Sequence, residues 1–147
     1  MQSRILAENN GQRTYALVLE TGDEVMACLK DFAEREDLSA AGFSAIGAFS
    51  SAVITYFDWE KKDYLSNPVD EQVEVASLNG DVALAPDGSR AIHIHTVLGK
   101  RDGTALAGHL AEAHVRPTLE IILTESPVHL QKRFDPESGL VLIRPES

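Results

Sequence analysis

Only one stretch of this chain carries the apolar spacing of a helix, and nearly everything else alternates with a period of two. Val25, Cys28, Leu29 and Phe32 recur at i, i+3, i+4 and i+7, with Asp31, Glu34, Arg35 and Glu36 mostly off the stripe. Thr21-Gly22-Asp23-Glu24 before them fits a capping box, with Thr21 as N-cap and Glu24 three residues on. The helix is therefore expected from Thr21 to Asp37, and Cys28 reads as a core residue. Strands are expected over Gln12 to Glu20 (buried on both faces), Phe43 to Phe49, Ala52 to Trp59, Gln72 to Leu78, Asp81 to Ala85, Ala91 to Leu98, Pro117 to Thr124, His129 to Phe134 and Gly139 to Ile143. Asn79-Gly80 is the strongest short hairpin signal, Pro86-Asp87-Gly88 a second turn, and Glu60 to Glu71 a polar loop with Asn67-Pro68 as its turn. Without alternating helix–strand units, a parallel doubly wound sheet is disfavoured. The economical architecture is α+β, an antiparallel β-sheet with helix packed on it, with a β-barrel second.

At 147 residues and 16.0 kDa the chain reads as a single domain, 1–147. With 44% hydrophobic and 24% charged residues it is globular. A single cysteine excludes an intramolecular disulfide and a cysteine-based zinc finger. The start turns polar too soon for a signal peptide to be expected, and the uncharged run Ser39 to Phe57 holds too many Ser and Gly for a membrane span. A cytoplasmic protein without membrane contact is expected. Thirteen basic against 23 acidic residues give a net charge of −10, which repels phosphate backbones and anionic lipid.

Three of the five histidines fall in one window, His93-Ile94-His95 and Gly108-His109. On a strand His93 and His95 share a face, about 6.6 Å apart along the chain. Arg101-Asp102-Gly103 reads as a tight turn with Gly103 at positive φ. A three-residue loop pairs positions summing to 204 and sets His109 opposite His95; a two-residue loop turns His109 away. Two polar positions on a solvated face remain the alternative to a metal site. If the three converge, neutral imidazoles without thiolate or carboxylate favour Zn(II), with Fe, Ni or Cu behind it. A cupin would place a Glu shortly after the His-x-His, where Gly99 and Lys100 stand. No Gly-x-Ser-x-Gly elbow or phosphate-cradling loop is present. His114 is a weaker candidate ligand, and His129 is expected in solvent or with one hydrogen-bond partner. Asp102, Glu112 and Glu120 are the carboxylates nearest in sequence.

The order of these pieces resembles the plant-and-prokaryote-conserved (PPC) domain, which also forms the body of plant AT-hook nuclear-localised proteins. The resemblance runs from about Tyr15 to about Thr124. Its carriers are Gly42 to Phe49, the following Ala52 to Asp58, Glu74 to Gly80, His93-Ile94-His95, Gly108-His109-Leu110 and Pro117-Thr118-Leu119-Glu120; Ala107 stands where the family carries a further glycine. It implies an antiparallel sheet flanked by helices, a homotrimer, and a metal site on His93, His95 and His109. Prokaryotic members are labelled DNA-binding by analogy with the plant proteins, whose AT-hook makes the minor-groove contact. This chain has no Arg-Gly-Arg-Pro core, and its basic pairs are scattered. DNA binding by the isolated chain is thus expected to be weak or absent, with any nucleoprotein association running through partners. Three functions follow: a trimeric binding or regulatory protein, a small metalloenzyme using metal-bound water in a hydrolytic or lyase reaction, or a structural-metal or small-molecule ligand sensor. The uncharged Ser39 to Phe57 surface exceeds what one helix covers, which supports burial against a second subunit.

Overall fold

The computed structural model describes residues 1–126 and 128–145. Its elements follow in the order β1 (Gln2–Asn9), β2 (Gln12–Glu20), α1 (Val25–Arg35), β3 (Ala40–Asp58), β4 (Asp63–Val69), β5 (Val73–Leu84), β6 (Arg90–Gly99), β7 (Ala105–Glu125), β8 (Lys132–Phe134) and β9 (Val141–Ile143). Seven strands make one antiparallel sheet, ordered β1-β2-β7-β6-β5-β3-β4, and β8 pairs with β9 apart from it. β7 also pairs with β3, so β3, β5, β6 and β7 form a closed circuit. The mostly antiparallel sheet agrees with expectation, and the closure carries the barrel character of the second architecture. One helix, rather than several flanking helices, is present among the described residues. No helix there is long and apolar enough to cross a membrane.

The helix starts later than its sequence suggests. Gly22 N–H donates to Val115 O and Val115 N–H to Asp23 O, both at 3.0 Å, so the chain is still paired with β7 at Asp23. Glu24 therefore becomes the N-cap, accepting from Met26 N at 3.1 Å and Ala27 N at 2.6 Å. Thr21 instead donates to Pro117 O. Val25, Leu29, Phe32 and Ala33 face the core, where Tyr15 meets Phe32 edge to face at 5.1 Å. Beside it Arg13 joins three elements: its guanidinium donates to Glu125 and to the Glu36 carbonyl at the end of α1.

Several other expectations are corrected. The two strands from Phe43 to Trp59 are one, β3, which bends through register shifts against β7. At the bend a Cβ on Gly47 would lie 2.2 Å from Thr118 O, so only glycine admits that approach. β2 is buried on one face alone: Tyr15, Leu17 and Leu19 point inward while Val18 is 36% exposed. The polar loop from Glu60 to Glu71 contains β4, whose Pro68 is tolerated because β4 is an edge strand.

Asn79-Gly80 makes no turn and lies inside β5. Gly80 is there because a Cβ would stand 2.3 Å from the Phe43 ring and 2.6 Å from His93 O. The Asn-Gly hairpin sits at Asn10-Gly11, with φ of 51° and 78°, between β1 and β2. The turns flanking β6 share one design. In Asp87-Gly88-Ser89 and Asp102-Gly103-Thr104 the Asp carboxylate accepts from the backbone and hydroxyl of the residue two on, and each Gly has φ near +84°.

Candidate metal centre

The second of those turns sets the centre. Lys100 N–H donates to Thr104 O at 2.8 Å, leaving a three-residue loop, and the strand positions that follow pair to a sum of 204. His109 on β7 is therefore directly opposite His95 on β6. Ile94 between the two β6 histidines is fully buried, which fixes His93 and His95 on the other face. The ring centroids lie 5.0 Å apart for His93–His95, 5.1 Å for His93–His109 and 5.7 Å for His95–His109. One ligand nitrogen from each lies within 4.8 Å of the other two. Gly108 beside them serves the backbone: a Cβ there would meet Thr55 O of β3 at 2.8 Å.

The other named candidates lie elsewhere. His114 on β7 pairs with Ser51 and faces Glu112 at 3.7 Å. Among the described residues His129 meets the Ser39 hydroxyl through Nδ1. Asp102 is engaged with Thr104 in its turn, and Glu120 lies between Val18 and Ile46. None of these lines the cleft that holds the three histidines.

The carboxylate at the site is Asp81 on β5, which the sequence reading missed. It pairs with His93, and its Oδ2 is 3.3 Å from His93 Nδ1. Its Oδ1 is 3.0 Å from Nζ of Lys132, a buried lysine on β8. A carboxylate on the non-ligating nitrogen of a histidine fixes the ring and its tautomer, as second partners in metal sites do. The signal was present: the expected turn at Pro86-Asp87-Gly88, centred on Asp87, pairs positions summing to 174 and so sets Asp81 across from His93. Lys132 and Tyr64, whose ring is 5.2 Å from that of His109, had no local signal.

Burial lowers the His109 pKa to about 4, with help from the nearby His93, His95 and Lys132. His95 is lowered too, by burial and then by His93. Burial works to raise the Asp81 carboxyl, but hydrogen bonds from His93 and Lys132 outweigh it and hold it below its ordinary value. Nδ1 of His109 is buried without a hydrogen-bond partner. A buried imidazole nitrogen left without a partner is costly, and a neutral imidazole ligates a cation through its unprotonated nitrogen. The donor set therefore fits a divalent ion held by three nitrogens with an open side. The three histidines line a cleft of about 740 Å³ that strands β3, β4 and β9 also line.

The family model for the Plants and Prokaryotes Conserved (PCC) domain matches residues 6–127. Among solved structures the chain is similar to a plant- and prokaryote-conserved (PPC) protein of Pyrococcus horikoshii, with 32% identity, a TM-score of 0.84 and coverage of 92% of this chain and 93% of that one. It is similar to a metal-containing protein of Archaeoglobus fulgidus, at 34% identity, TM-score 0.83 and 99% of both chains. A third, described as a "Putative DNA-binding protein" of Ralstonia eutropha JMP134, shares 28% identity at TM-score 0.84 over 90% of this chain and 91% of that one. Among curated proteins the comparison found no match.

Proposed function

The chain belongs to the Plants and Prokaryotes Conserved domain family, and from that premise we propose that it is a homotrimeric metal-binding protein, one domain per subunit, in which His93, His95 and His109 hold a divalent ion, zinc first. The observation that carries this reading is the convergence of three ligand nitrogens within 4.8 Å on two neighbouring strands. Small side-chain rotations bring such nitrogens to the 2.0–2.1 Å typical of zinc. Three protein ligands with a fourth position open is the arrangement in which zinc binds an exchangeable ligand. The metal-containing Archaeoglobus relative supports the same assignment.

The role that fits is a binding or regulatory one. The Ralstonia relative is described for DNA binding, but this chain carries −10 and no basic tract. Contact with nucleoprotein therefore runs through a partner. A second reading, a metalloenzyme of hydrolytic or lyase type, is favoured by one feature: the Asp81–Lys132 pair beside the histidines in an open cleft. There Asp81 orients His93.

Support for the trimer comes from the outer face of the sheet. Val18, Ile46 and Ile122 point to one side of β2, β3 and β7 and are 36%, 63% and 49% exposed. Protein purified without chelator should contain close to one zinc per chain by elemental analysis, and His95→Ala should lose it. Equal metal content in the two proteins would end the reading.

A further inference from the structure

We propose that the cleft beside the three histidines takes a monocarboxylate with an apolar body, its carboxylate at the metal end and its hydrocarbon against β4 and the β8–β9 hairpin. This rests on the metal reading above and adds the class of ligand.

Charge fixes the head group. The charged side chains lining the cleft are Asp81 and Lys132, and these two neutralise each other. Ligating imidazoles are neutral, so they bring no negative charge to a divalent ion. The ion's double positive charge would then face a cavity of low polarity, where an uncompensated charge is expensive. An anionic oxygen at the open position offsets it. A phosphate would ask for more donors than the cleft has: among the described residues no arginine, helix N-terminus or glycine-rich loop lines it. A carboxylate asks only for the cation and one or two further contacts.

The walls fix the body. Past the histidines the cleft is lined by Tyr64, Ile92, Leu140, Val141 and Leu142. Tyr64, Val141 and Leu142 are 40%, 43% and 37% exposed, apolar surface that a hydrocarbon would cover. A cleft of about 740 Å³ has room for a chain of eight carbons or a single substituted ring. Each methylene so buried strengthens binding by about fourfold.

The test uses the full chain, stripped with chelator and reloaded with zinc, and titrated calorimetrically with acetate, octanoate and octan-1-ol. Zinc uptake is measured first. Octanoate, with six more methylenes to bury, should bind the zinc form on the order of a thousandfold more tightly than acetate, more tightly than octan-1-ol, and at least on the order of tenfold more tightly than it binds the zinc-free form. Acetate equal to octanoate, or octanoate indifferent to zinc, would overturn the inference while leaving the metal site standing. A chain that takes up no zinc would overturn the metal reading and this inference with it.

Discussion

Asp81 stands directly across from His93 on the neighbouring strand, Oδ2 to Nδ1 at 3.3 Å, and the same carboxylate holds the buried Lys132 at 3.0 Å. One side chain thus ties the histidine cluster of the main sheet to the small β8–β9 sheet. Asp81→Asn keeps the shape and removes the charge. It should weaken zinc binding by about 10–100-fold, the usual effect of losing the carboxylate behind a ligating histidine. Competition with a chromophoric chelator measures this. In Asp81→Ala the buried Lys132 ammonium also loses its partner, and the fold should lose about 1–3 kcal/mol in urea melts, partly restored by adding Lys132→Met. Unchanged zinc affinity in Asp81→Asn would remove Asp81 as a positioning residue.

The zinc-free protein should lose stability in mild acid. His109 takes up its proton near pH 4 when folded, against 6.5 ordinarily. Between pH 6.5 and 4 the unfolded chain therefore binds a proton that the folded chain refuses, and stability falls as pH falls through that window. His95, also lowered, adds in the same direction. Urea midpoints of chelator-treated protein at pH 7 and 4.5 should differ more for the native sequence than for His109→Asn. Equal differences would show that His109 takes no part.

Gly80→Ala should be far more damaging than a Gly-to-Ala change in an ordinary strand. The added methyl would sit 2.3 Å from the Phe43 ring and 2.6 Å from the His93 carbonyl. Overpacking of this kind costs typically about 1–3 kcal/mol. Displacing His93 should also weaken zinc binding, so thermal midpoint and zinc affinity should fall together. Gly88→Ala meets open space and is a comparison for the steric effect, with backbone strain at its positive φ as its own cost.

If the outer face of β2, β3 and β7 is the subunit contact, Ile122→Glu should break it. Ile122 lies between Ser44 and Ala16, on the side shared with Val18 and Ile46. Light scattering should give three times 16.0 kDa for the native chain and a smaller mass for the variant, with circular dichroism unchanged. A native mass near that of one chain would end the trimer proposal.

The isolated chain should give no tight shift of duplex DNA at physiological salt. Non-specific binders reach about 10⁻⁴–10⁻⁶ M by neutralising phosphates, which a chain of net charge −10 does poorly. A salt-sensitive complex formed by the chain alone at nanomolar concentration would contradict this.

By itself the sequence determined the features encoded within a few residues. The period of Val25, Cys28, Leu29 and Phe32 located the one helix, and alternation around Ile94 put His93 and His95 on one face. Arg101-Asp102-Gly103 marked the turn between β6 and β7 and left two registers open, of which the structure takes 204 and so brings His109 to them. Each depends on backbone preference or side-chain spacing inside a single element or turn. Tertiary structure decided what depends on residues distant in the chain. Asn79-Gly80 and Asn10-Gly11 are the same dipeptide, and only the second turns, because Asn79 and Gly80 are paired on one side with β3 and on the other with β6. The joining of β3 into one bent strand follows from its pairing with β7, and the late start of α1 from the Asp23–Val115 hydrogen bond. Asp81 and Lys132 meet at the histidines because four separate strands, β5, β6, β7 and β8, converge there, and no local pattern encodes a meeting of that kind.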